Sequence, residues 1–240
     1  VNRGKGFGTG GVWPIPLSRT LYVDPATSTP ITSQNGAINA PFSTITAALA
    51  AASDRTTIIL QPDDYTGEGS LTAPAVAELS LACMFASLST ATIGPMTATG
   101  VTLSFFGVQA VGDVSCLSLW CQFNSGVFGD VTAPQSANFI DQSYLVGDIT
   151  TAWLSAIHSD IYGSGSADNM YAISSGMPDT LNVVSYVELV SCWWDPGGGT
   201  WTFTGAPGQI ILDAYSNWYW KTTSQVLANG TKVIAGDLVP

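Results

Sequence analysis

The sequence predicts an all-β chain wound as a single-stranded parallel β-solenoid with coils of about 17 residues, and three observations carry that expectation. The first is a glycine series, Gly94, Gly112, Gly129, Gly147 and Gly163, with steps of 18, 17, 18 and 16 residues. Each glycine follows an apolar or aromatic residue (Ile93, Val111, Phe128, Val146, Tyr162), and three precede an aspartate (Asp113, Asp130, Asp148). The second is a bulky position six or seven residues before each of the last four glycines: Phe106, Phe123, Ile140 and Ile157. The third is a later aromatic series, Val184-x-Tyr186, Trp201-x-Phe203 and Trp218-x-Trp220, at steps of 17. A unit this short has no room for a strand–helix repeat. It fits one coil whose strands stack about 4.8 Å apart.

Residues 1–18 form a Gly- and Pro-rich arm. Its GKGFGTGG run has neither the preceding strand nor the following helix of a phosphate-binding glycine loop, so a flexible docking arm is expected. TLYVDP then reads as a short strand closed by a proline turn. After a polar loop, PFSTITAALAAASD predicts a short amphipathic helix: Ser43 or Thr44 can cap it, and Ile45, Ala48, Leu49 and Ala52 share one face. TTIILQPDDY gives a buried strand over residues 57–61, stopped by Pro62.

The series YVDP … PFSTITAALAAA … TIILQPDDYTGE resembles the opening segment of right-handed parallel β-helix proteins of the pectate-lyase-like superfamily. The resemblance covers residues 20–68 and departs from the family pattern at Pro62-Asp63-Asp64-Tyr65, where Pro-Gly usually precedes the tyrosine. It implies a right-handed β-helix whose first strand and short helix plug the end of the solenoid. It does not imply an activity, because lyases, hydrolases and non-enzymatic bacteriophage spikes and virion proteins share the fold.

From Leu71 to Trp220 the coils are expected to follow one another. The Gly/Ser-rich stretch 164–179 and WDPGGGT at 194–200 are expected to leave the body as loops. In VLANGTKVIAGDLVP, Asn229-Gly230 lies between two apolar runs and predicts a C-terminal β-hairpin. Asn229-Gly230-Thr231 is also a glycosylation sequon, and the turn reading is preferred. The expected organisation is thus an arm (1–18), one β-helix domain (19–220) and a hairpin cap (221–240).

Charged residues make up 10% of the chain, against roughly 25% in ordinary soluble domains. A surface so poor in charge suits burial in an assembly, and equally a β-protein with a Ser/Thr exterior. Net charge is −11, and no Lys or Arg lies between Arg55 and Lys221. Nucleic acid and anionic membranes need clustered cations, so neither is expected as a partner. No apolar run reaches the ~18 residues of a membrane span. Cys83, Cys116, Cys121 and Cys192 show no CxxC spacing and read as buried free thiols, with no zinc site.

Candidate chemistry centres on Asp113, Asp130 and Asp148. On successive coils they would lie about 5 or 10 Å apart, bracketing the carboxylate separations of retaining and inverting glycosidases. The competing reading is turn chemistry: glycine supplies an unusual φ and aspartate bonds a nearby N–H, repeated because the coil repeats. A lyase mechanism at a uronate lacks its cationic base or clamp. His158, the one histidine, is followed by Ser159, but neighbours on a strand face opposite ways, so a structural histidine is expected. Asp63, Asp64 and Glu68 could ligate calcium, though a solvated acidic loop is preferred. No cofactor is expected. Period-two alternation puts Trp201, Phe203, Trp218 and Trp220 inside with Val184 and Tyr186. Trp194, with Tyr219 as helper, is then the candidate for binding a glycan or partner.

The functional expectation is a non-catalytic structural or receptor-binding protein of a bacteriophage virion, such as a spike or decoration protein. It would be bound to other virion proteins or to itself, as a trimer if a spike, with a host surface glycan as a further ligand. A glycan-cleaving depolymerase using the aspartates is the alternative, and a secreted adhesin the third.

Overall fold

The computed structural model describes residues 19–84, 89–177, 180–192, 201–203, 209–212 and 232–235, the last three segments for their backbone. The chain enters through β1 (Arg19–Val23), α1 (Ile45–Ala51), β2 (Thr56–Leu60), β3 (Leu71–Thr72), β4 (Glu78–Cys83) and β5 (Ala91–Ile93). Long strands then alternate with short ones: β6 (Met96–Phe106), β7 (Val108–Val111), β8 (Val114–Gln122), β9 (Gly126–Phe128), β10 (Val131–Ile140), β11 (Tyr144–Val146), β12 (Ile149–Ile157) and β13 (Asp160–Tyr162). β14 (Ser164–Ile173), β15 (Thr180–Val190), β16 (Trp201–Phe203), β17 (Gln209–Leu212) and β18 (Lys232–Ala235) complete it.

Every strand pairing is parallel, and long strands pair only with long and short only with short through the centre of the molecule. That is the topology of a solenoid. A 13-stranded sheet carries the long strands and a 5-stranded sheet runs β5-β7-β9-β11-β13. The pairing register slips within several of the long-strand pairs, as between Ala133 and Ser136 against β12. One coil therefore has a long-strand leg and a short-strand leg.

The core is a set of columns along the axis. Leu21, Ile58, Leu81, Phe105, Cys121, Phe139, Ala156, Ala172 and Leu189 pair in succession, and all are buried. Small residues beside Phe105 and Phe139 let stacked coils keep a common spacing while filling the interior. A second column, Ile93–Ala110–Val127–Leu145–Ile161, lines the short-strand leg and is fully enclosed.

The helix at the N-terminal end forms as its sequence predicts. Thr44 Oγ1 accepts from Ala47 N–H at 3.1 Å, and Ile45, Ala48 and Leu49 pack into the core. Glu68 supplies what the sequence did not announce. Its carboxylate accepts from Ile45 N–H (2.7 Å), Thr46 N–H (2.9 Å) and Thr46 Oγ1 (2.8 Å), satisfying amides that a helix start leaves open. This acidic residue is a tie between the plug and the first coil.

Three expectations change. Residues 164–173 are not a loop: they form β14, which pairs with β12 and β15 and buries Ala167, Met170 and Ala172 while its Ser, Asp and Asn residues are exposed or half-buried. Val184 and Tyr186 are not on the core face; Leu181, Val183, Val187 and Leu189 are, and Trp201 and Phe203 pair with Leu181 and Val183. The register against β14 slips there, Ala167 pairing with Val183 and Asn169 with Tyr186, so that β15 carries one extra residue while its inward positions stay in phase. Of the bulky positions before the glycines, Phe106 is buried and Phe123, Ile140 and Ile157 are half-buried. Gly94 stands one residue off the glycine ladder, since Ile93 pairs with Ala110 and a Cβ on Gly112 would meet Pro95 instead. The Asn229-Gly230 hairpin, Trp218 and Trp220 lie outside the described residues, while β18 adds in parallel to β17.

Candidate functional site

Two corners and two outward faces could hold chemistry. At the first corner the glycines give way to the aspartates. Gly112 and Gly163 have φ of +116° and +123°, and a Cβ on Gly147 would lie 2.2 Å from Gly129 O. The coils approach through bare backbone, and only glycine fits.

Asp113, Asp130 and Asp148 do stand on successive coils, and each carboxylate reaches forward to the next. Asp113 Oδ1 accepts from Asp130 N–H at 2.9 Å, Asp130 Oδ1 from Asp148 N–H at 2.9 Å, and Asp148 Oδ1 from Ser164 N–H at 3.0 Å. Asp160 repeats the device on Gly176 N–H at 3.2 Å. A carboxylate fixed this way satisfies a backbone donor that the turn would otherwise leave to water. The three ladder residues are exposed.

The second corner, after each long strand, is a column of left-handed residues: Gly107 (φ +60°), Phe123 (+52°), Asp141 (+53°), His158 (+50°), Ser174 (+45°) and Ser191 (+54°). His158 Nδ1 lies 3.7 Å from Asp141 Oδ1 on the preceding coil, both partly in solvent. Beside this column runs a ladder of buried serines. Ser125, Ser143, Ser159 and Ser175 each donate Oγ–H to a carbonyl two or three residues back, at 2.6, 2.7, 2.9 and 2.7 Å. Cys192 takes the next rung, with Sγ 3.4 Å from Val190 O. Ser159 therefore serves the turn and is not paired with His158. Sequence reading missed this ladder, although its steps of 18, 16, 16 and 17 residues are as regular as the glycines.

On the short-strand face, Val111, Phe128, Val146 and Tyr162 pair in one exposed line, 46%, 42%, 44% and 52% accessible. Tyr144 closes edge-on to Phe128 at a ring separation of 5.1 Å, and its phenol, pushed up to about 12 by burial first, stays protonated. On the long-strand face, Trp120 and Trp153 project outward from β8 and β12, with Ser136 and Asn138 of β10 between them. Tyr186 donates to Glu188 Oε2 at 2.5 Å at the far end of the same face.

Trp194 and Tyr219, the expected binding pair, lie outside the described residues. Among the described residues no group of three His, Cys, Asp or Glu side chains is placed to hold a metal ion, and no helix is long and apolar enough to cross a membrane. Asp64, within the candidate calcium turn, instead accepts from Thr66 N–H (2.9 Å) and Thr66 Oγ1 (2.6 Å), bonds that lower its pKa. All four cysteines are buried. No family model, curated protein or solved structure matches this chain.

Proposed function

We propose that this chain is a non-catalytic structural or receptor-binding β-helix component of a bacteriophage virion, a spike or decoration protein. The observation that carries the non-catalytic reading is the forward bonding of Asp113, Asp130 and Asp148 to the backbone of the next coil. A glycosidase needs one carboxyl to hold a proton and another to attack or activate water on a sugar enclosed between them. Three carboxylates in one open line, each tied to an amide, do turn work instead.

The virion part is supported by the resemblance of residues 20–68 to pectate-lyase-like β-helix proteins and by a body without Lys or Arg between Arg55 and Lys221. Self-association is supported by the row Val111, Phe128, Val146 and Tyr162, four apolar side chains in line on the outside of a sheet. A second copy, or a neighbouring virion protein, would remove that row from water.

Host polysaccharide incubated with the protein should release no reducing ends, and Asp130→Asn should bind any glycan as the parent does. Reducing ends that vanish in Asp130→Asn or Asp148→Asn would assign the ladder to a depolymerase.

A further inference from the structure

The outward face of the long-strand sheet carries a second kind of surface. Trp120 and Trp153 are 36% and 40% accessible, on strands separated by one rung. Two rungs amount to about 9.6 Å across the sheet. Trp153 pairs through Ser136 and Trp120 through Asn138, so the indoles are also offset by two residues, about 6.7 Å along the strand. The diagonal between their backbones is about 12 Å.

The floor between them is polar and already organised. Asn138 is 6% accessible, and its Nδ2 donates to Leu119 O and Ser136 Oγ, both at 3.2 Å. Both donated protons are thus committed to the protein, which fixes the amide plane, and Oδ1 adds acceptor capacity to this floor. Ser118 on β8 pairs with Ser136 and is bonded to Gln135 at 3.4 Å.

We propose that this face binds a neutral polysaccharide, with Trp120 and Trp153 as stacking platforms and Asn138 and Ser136 as the hydrogen-bonding floor. A sugar ring presents an apolar C–H face and a rim of hydroxyls. Flat indoles flanking amide and hydroxyl groups match both parts. The diagonal exceeds one sugar ring, so a ligand using both indoles must be a chain. Charge selects the class: the four residues are uncharged, no Lys or Arg lies between Arg55 and Lys221, and a net charge of −11 repels acidic glycans. A protein partner is disfavoured by the polar, prebonded floor, which an apolar interface would leave half satisfied. The proposal deepens the receptor-binding reading above and rests on it.

The full chain would be run through gels containing dextran, mannan, galactomannan or laminarin, and through gels containing polygalacturonate or alginate. Retardation by at least one neutral polymer and by neither acidic one is expected. Trp120→Ala and Trp153→Ala should each weaken it about tenfold or more, and the Trp→Phe versions less. Thermal unfolding of each variant, expected within a few degrees of the parent, separates lost binding from lost folding. Phe128→Ser, on the other face, should bind as the parent does. No retardation by any neutral polymer, retardation by the acidic ones, or retardation indifferent to both tryptophans overturns the proposal. Reducing ends released from the retarding polymer would sink the non-catalytic reading while leaving the binding face standing.

Discussion

Replacing Gly147 with alanine tests how the coils are held together. The added Cβ would lie 2.2 Å from Gly129 O and 2.5 Å from Gly129 C, more than about 1 Å inside ordinary non-bonded contact. Both are backbone atoms, so no rotamer relieves the overlap. The corner must open instead, across three bonds that join these coils: Gly129 N–H to Val146 O (2.9 Å), Asp148 N–H to Asp130 Oδ1 (2.9 Å) and Val131 N–H to Asp148 O (2.8 Å). At about 0.5–1.5 kcal/mol each, with residual strain, the loss should be about 3–5 kcal/mol. A chain of 240 residues unfolds with an entropy of about 0.5 kcal/mol/K, so the melting temperature should fall by about 6–10 °C. Gly100→Ala is the control. It shares a positive φ (+77°) but has open space around the new methyl, so it should lose only about 1–2 kcal/mol. Urea melts followed by circular dichroism would read both. Equal losses for the two variants would refute the close-approach argument.

Ser143→Ala removes a buried hydroxyl that satisfies Ile140 O and should cost about 1 kcal/mol, whereas Cys192→Ser, which restores the serine of the other rungs, should cost nothing measurable in the same melts. Phe128→Glu places a charge in the middle of the exposed apolar row and should shift the protein toward monomer in light scattering; an unchanged mass with a multimeric parent would remove that row from the interface. Burial pushes the Cys116 thiol up to about 12 from an ordinary value of 9.0, so its contribution to stability is intact below pH 9 and declines as pH rises toward 12. A melting temperature that falls over that window in the parent but less in Cys116→Ala would show it.

The coil repeat was legible because glycine is the one residue that tolerates backbone packed on backbone, and the turn that needs it returns every coil. Gly94 entered the series only by spacing; its own constraint is Gly69 O, 2.2 Å from its would-be Cβ. The serine ladder escaped notice because serine is common throughout the chain, so its regularity does not stand out against composition. Trp120 and Trp153 sit in the runs SLWCQ and TAWLSA, where alternation hides an outward aromatic among inward Leu119, Cys121 and Leu154. Reading parity outward from those core residues would have found them. Parity along 181–190 is continuous, with Leu181, Val183, Val187 and Leu189 all inward, so the same reading would have placed Val184 and Tyr186 outside. The left-handed corner was silent, since Phe123, Asp141 and His158 share no side-chain chemistry.

The aspartate ladder has a direction. Each carboxylate reaches an amide that comes later in the chain, from Asp113 to Asp130, to Asp148 and on to Ser164, and never one that came before. A ribosome delivers residues in that same order. On these coils the acceptor is therefore made before the amide it takes, so a chain growing from its N-terminus has each seat in place before its occupant. The plug has the opposite order: α1 precedes Glu68, the residue that closes its open amides.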